Sequence, residues 1–132
     1  MSGLIYLATP YSHPEYEVKK ERFKEASRMA AKLMEEGYKV FCPIAHSHPI
    51  EVYGMPEIKS GDWWLQQDFA ILKHCDELVI YKMPGWDKSY GVTKEYDFAV
   101  ANGIPIRFIE YTPKILSKQV NLPYKDEVIY VG

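Results

Sequence analysis

Cysteine is scarce in this chain: Cys42 and Cys75 are the only two in 132 residues, far apart and in no CxxC pair. That excludes a disulfide scaffold and a thiolate zinc cluster, and it reads as two buried free thiols in a reducing compartment. A basic excess is also missing. Sixteen Lys and Arg stand against eighteen Asp and Glu, for a net charge of −2, which argues against a protein that holds nucleic-acid polymers through their phosphates. No window approaches the ~20 apolar residues of a membrane span, and the N-terminal MSGLIYLATPYS has neither a basic leader nor a long apolar core. A cytoplasmic protein with no membrane partner is expected. There is no internal repeat, low-complexity tract or linker. With 47% hydrophobic and 26% charged residues, the expectation is one ordinary globular domain spanning residues 1–132.

Taken in order, Leu4–Ala8 reads as a first strand, stopped by Thr9-Pro10-Tyr11-Ser12-His13-Pro14, where two prolines forbid both sheet pairing and helix. A helix follows over about 15–36, with Phe23, Ala26, Ala30, Leu33 and Met34 as its apolar face and Gly37 closing it. Tyr38–Cys42 is a second strand. Residues 43–59, rich in His, Pro and Gly, show no periodicity and read as a lid or wall of a site. Ser60-Gly61-Asp62 opens a helix reaching about His74. A buried strand around Leu78–Tyr81 then leads through Met83–Lys88 to a helix starting at Ser89, and Ile104–Ile109 forms another strand. A short helix at 113–118 and a last strand at 128–131 complete the reading. This alternation predicts an α/β fold, flavodoxin-like or Rossmann-like, with a parallel sheet of about five strands and helices on both faces. Ligands of such sheets bind beyond the strand C-termini.

Two positions break the apolar pattern. The helix after Ser89 has a stripe of Val92, Tyr96 and Ala99 completed by Glu95, and the helix before it has a stripe of Leu65, Phe69 and Leu72 completed by Asp68. A carboxylate in a core stripe is costly unless something requires it. With an ordinary carboxylate pKa, Glu95 is ionised at neutral pH and able to attack an electrophilic carbon; the bland alternative is an ion pair with Lys94 or Arg107. Asp68 is equally readable as a buried cap or ion-pair partner. Two carboxylates beside one crevice fit glycosyl transfer. Ser89, with Tyr90 and Gly91, is either a phosphate seat at a helix N-terminus or a plain N-cap, without the glycines and lysine of a P-loop. His46 and His48 are open to substrate contact, a structural role or a metal, and Trp86 is the tryptophan best placed to stack on a base.

The run Ile5-Tyr6-Leu7-Ala8-Thr9-Pro10-Tyr11, Asp68 on a helix, and Ser89-Tyr90-Gly91-Val92-Thr93-Lys94-Glu95 followed by Ala99, Ala101-Asn102-Gly103 and Pro105 together resemble the nucleoside 2-deoxyribosyltransferase superfamily. The resemblance implies Glu95 as nucleophile at C1′ of the sugar, Tyr6 as the tyrosine that orients it, and Asp68 as the aspartate that contacts the sugar and assists. Serine six residues before the nucleophile resembles the branch that hydrolyses nucleoside 5′-monophosphates, which makes Ser89 a phosphate contact. The resemblance further implies a homo-oligomer, dimer or tetramer.

The expected activity is therefore cleavage or exchange of the N-glycosidic bond of a (deoxy)nucleoside or its 5′-monophosphate, as a transferase or a hydrolase. Glu95, Asp68 and Tyr6 would be catalytic, and Thr9, Tyr11, Ser12, His46, His48, Trp86, Ser89 and Gly91 would bind substrate. No metal or cofactor is expected, because the glutamate supplies the covalent chemistry. The rivals are a non-catalytic nucleotide-binding or sensing module on the same fold and a metal-dependent hydrolase built on His46 and His48.

Overall fold

Leu4–Ala8 and Glu77–Tyr81 are apolar at almost every position, which suits strands covered on both faces. In the computed structural model, which describes residues 3–113, they are β1 (Leu4–Ala8) and β3 (Glu77–Tyr81), flanked by β2 (Lys39–Phe41) and β4 (Ile106–Ile109). All pairings are parallel in the order β2-β1-β3-β4, with Tyr6 opposite both Phe41 and Leu78. Four strands are thus present among the described residues. The expected helix at 113–118, apart from Pro113, and the fifth strand at 128–131 lie outside them.

The helices are α1 (Tyr16–Glu35), α2 (Pro43–Gly54), α3 (Gly61–Leu72) and α4 (Tyr90–Ala101). Strand alternation sorts the core into two layers. Ile5, Leu7, Val79 and Tyr81 face Ala26, Met29, Ala30 and Leu33 of α1. Tyr6, Ala8, Leu78 and Ile80 face Leu72 of α3 and Val92 and Ala99 of α4. Helices therefore cover both faces, and the sheet order changes direction between β1 and β3, where a crevice is expected. Leu78 is wholly buried in the second layer. Leu78→Ala should cost about 3 kcal/mol, read as a lower urea midpoint with an unchanged slope.

Three expectations need correction. Residues 43–54 are helical, not an irregular lid. Pro43 occupies the first turn, where its missing N–H costs nothing, and the buried face is Ser47, His48 and Glu51, so the helical period is written in polar residues. Met34 is exposed and Met29 fills the α1 core position instead. Tyr96 is also exposed, while Phe98 takes the inward place and stacks on Phe69 of α3 with ring centroids 4.4 Å apart. No helix among the described residues is long and apolar enough to cross a membrane. Cys42 and Cys75 are free and buried.

Candidate active site

A crevice opens beyond the C-terminal ends of β1 and β3, with about 690 Å³ of empty space counting the part open to solvent. The loop after β1 contributes Thr9, Tyr11 and Ser12; α3 contributes Asp68; the start of α4 contributes Ser89, Gly91 and Glu95. Ser60 and Ser89 fix the two helices locally. Each hydroxyl accepts from a backbone N–H three residues on, Trp63 and Val92 respectively, both at 3.1 Å. This places Asp68 and Glu95 on the inward faces of neighbouring helices.

Glu95 is only 4% exposed and accepts a hydrogen bond from the Tyr6 hydroxyl. Neither cation expected beside it is used. Arg107 forks onto Glu77 at 2.7 and 2.8 Å, and the Lys94 ammonium lies over the Tyr90 ring, 5.3 Å from its centre. Burial without a cation pushes Glu95 up to about 8; the Tyr6 hydrogen bond pulls it down and Asp68 pushes it further up. Burial thus moves Glu95 up from the ordinary carboxylate pKa on which its ionisation at neutral pH was expected. Asp68, 7% exposed, is raised by burial to about 7. Tyr6 is raised well above the ordinary phenol value, by burial first and then by Glu95, so it stays a proton donor. Thr9 is 4% exposed, and its hydroxyl is the one buried side-chain polar atom without a partner among the described residues.

Three residues anticipated at the site are placed elsewhere. Because 43–54 is a helix, His46 and His48, two positions apart, point to nearly opposite sides. His46 is exposed with its ring 5.5 Å from that of Phe41. His48 is buried behind the crevice wall, stacked on Phe23 at 4.1 Å, with Nδ1 2.6 Å from the Tyr11 hydroxyl. Trp86 begins a short 3-10 turn and packs edge-on against Phe108 of β4 at 5.6 Å. The preceding Gly85 has φ +92, a left-handed conformation that favours glycine in this turn. Among the described residues no three His, Cys, Asp or Glu side chains are grouped as metal ligands.

The structure also adds wall residues that the sequence reading did not single out: Lys19 of α1, Glu51 of α2 and Trp64 of α3, with Ile44, Ile58 and Leu65 as apolar lining. Lys19 was hidden among the charges of α1, and Glu51 lay in the segment that showed no period. Only the knowledge that 43–54 is helical would have exposed the Ser47/Glu51 pair at i and i+4. Chemically, the crevice offers two carboxylates that change protonation near neutrality, a phenol fixed on one of them, and a helix N-terminus at its rim.

Over residues 3–111 the sequence matches a family described as a domain of unknown function (DUF1937). No curated protein matches it. Among solved structures the fold is similar to that of the 2-deoxyribosyltransferase from the psychrotolerant bacterium Bacillus psychrosaccharolyticus. The two are 22% identical, with 86% of this chain and 76% of that one covered and a TM-score of 0.57.

Proposed function

The chain belongs to the DUF1937 family, and from its crevice we propose that it cleaves or exchanges the N-glycosidic bond of a (deoxy)nucleoside or nucleoside 5′-monophosphate. The observation that carries this reading is the buried Glu95 carboxyl, hydrogen-bonded by Tyr6 and sharing one crevice with Asp68. The likeness of the fold to a 2-deoxyribosyltransferase supports it.

Ionised Glu95 attacks C1′, and the C1′–N bond breaks as the C1′–O ester forms. The departing base takes a proton, which Asp68 has to give because burial holds it near pH 7. Water or a second base then attacks C1′, the ester bond breaks, and the proton lost by the incoming group returns Asp68 to its starting state. Tyr6 holds Glu95 in place and favours its ionised form. Ser89 and Gly91, at the N-terminus of a twelve-residue helix, seat the 5′ end of the substrate, where backbone N–H groups favour an anion.

The test is chromatography of purified protein with a panel of nucleosides and 5′-monophosphates, with and without a second free base, at several pH values from about 6 to 9, because Glu95 has to be ionised while Asp68 still carries a proton. Free base released from a monophosphate identifies a hydrolase and supports Ser89 as a phosphate contact. A new nucleoside formed only with the second base identifies a transferase. Binding of nucleotides without any product would overturn the catalytic reading in favour of a nucleotide-sensing module.

A further inference from the structure

Besides Glu95 and Asp68 the crevice is lined by a third buried carboxylate, Glu51. Glu51 is 7% exposed and draws donors from three separate elements. The Lys19 ammonium of α1 donates to Oε2 at 3.1 Å, the Trp64 indole of α3 donates to Oε1 at 3.3 Å, and the Tyr11 hydroxyl of the β1–α1 loop lies 3.4 Å from Oε2. Tyr11 is itself held by His48, whose ring is stacked on Phe23 and Tyr16. The proton arrangement that satisfies all of them has His48 Nδ1–H donating to the Tyr11 oxygen and Tyr11 O–H donating to Glu51.

A buried ion pair is a poor device for stability, since apolar side chains of similar size usually serve a packed wall as well or better. Its retention in a ligand crevice calls for another reason. A carboxylate accepts about four hydrogen bonds; the three donors above leave one acceptor position, on Oε1, of a side chain that lines the crevice. Lys19, which lines it too, has N–H groups beyond the one given to Glu51. The crevice thus presents an acceptor and a donor side by side, in fixed orientation, with apolar Ile44 and Leu65 nearby.

We propose that Glu51 and Lys19 are the base-reading end of the crevice: Glu51 accepts from an N–H on the edge of the nucleobase, and Lys19 donates to the adjacent ring nitrogen or carbonyl. The proposal rests on the nucleoside reading above, in which C1′ lies at Glu95 and the 5′ end at Ser89, so the base extends toward α1 and α2. The ligand class is a base with adjacent donor and acceptor groups. Bases alkylated on that nitrogen are rejected, because they leave Glu51 unpaired and crowd the wall.

The test uses the full chain carrying Glu95→Gln, so that binding is read by calorimetry without turnover. The probes are paired nucleosides, adenosine with its N6,N6-dimethyl form and inosine with its N1-methyl form. In at least one pair, alkylation is expected to weaken binding by roughly 10- to 100-fold, the cost of an unmade buried hydrogen bond. Adding Glu51→Gln should weaken the parent nucleoside and shrink that ratio toward one; Lys19→Met, which removes the donor beside it, should weaken both members of a pair and tests the proposal independently of the folding of the Glu51 variant. In the otherwise native enzyme, Glu51→Gln should raise KM more than it lowers kcat. Equal binding within every pair, an unchanged ratio in a folded Glu51→Gln variant, or parent binding undiminished by Lys19→Met overturns the base-reading assignment and leaves the proposed function standing. No binding by any nucleoside or nucleotide overturns both.

Discussion

Glu95→Gln is expected to lower turnover by at least roughly 10⁴-fold, the scale on which loss of a covalent nucleophile acts, while nucleotide binding stays within a few-fold. The substitution keeps the shape of the side chain and an oxygen to accept the Tyr6 hydroxyl, so neither cavity nor orphaned phenol complicates the result. What it removes is the charge that forms the bond to C1′. Glu95→Ala should be as inactive but less stable, because it leaves the wholly buried Tyr6 hydroxyl without an acceptor, a loss of about 1–3 kcal/mol. Mass spectrometry of rapidly quenched turnover provides the second readout: a sugar-sized increment on the peptide containing Glu95, absent in the glutamine variant. Retention of more than a few per cent of wild-type turnover by Glu95→Gln would show that another group attacks, or that water does so directly.

The carboxylates were legible in the sequence because hydropathy made them anomalous. Glu95 sits between Val92 and Ala99 in a stripe that is otherwise buried, and Asp68 sits between Leu65 and Leu72. Strands β1 and β3 were legible because runs such as LIYLA and ELVIY leave few alternatives to a strand covered on both sides. Helix α2 was not legible, since its buried face is Ser47, His48 and Glu51 and a proline interrupts it at Pro49; hydropathy cannot reveal a period carried by polar groups. The placement of His46 and His48 outside the crevice follows from that, whereas Trp86 is drawn away by its packing on Phe108 of β4. A histidine pair in an assumed loop can converge on a ligand, but in a helix the same pair diverges. The Lys19–Glu51–Trp64 knot is a meeting of three separate helices, across 32 and 13 positions, and no local pattern announces such a meeting. Tyr6 lies between these cases. Its strand is local, but its bond to Glu95 spans 89 positions, and only resemblance to a family connected the two in advance.

Stability should fall as pH rises from about 4.5 to about 8, the opposite of the usual carboxylate behaviour. Glu95 is raised from 4.5 to about 8 and Asp68 from 3.8 to about 7, burial being the leading cause for both. Between the unfolded and folded values the native state holds protons that the unfolded chain has released, so the derivative of unfolding free energy with pH is negative. The stabilisation is complete below the unfolded values and is lost as pH passes through 7 and then 8. The two groups repel once both are ionised, so they titrate as a coupled pair and their effects do not simply add. A net loss on the order of 3 kcal/mol across the window is expected, seen as a melting temperature about 10 °C lower at pH 8.5 than at pH 5 for a domain of this size. Glu95→Gln and Asp68→Asn should each flatten the profile by raising its alkaline side, and the double substitution should remove most of the slope. Such a profile would also mean that stability and nucleophilicity oppose each other at Glu95, because the ionised form that attacks C1′ is the one that burial disfavours. A bound substrate that neutralises or shields the carboxylate would then stabilise the protein most at alkaline pH, so the rise in melting temperature on adding nucleotide should grow between pH 6 and pH 8.5. A flat melting profile in the wild type would show that both carboxyls are better solvated in solution than their burial implies, and the acid–base roles assigned to Asp68 and Glu95 would lose their physical basis.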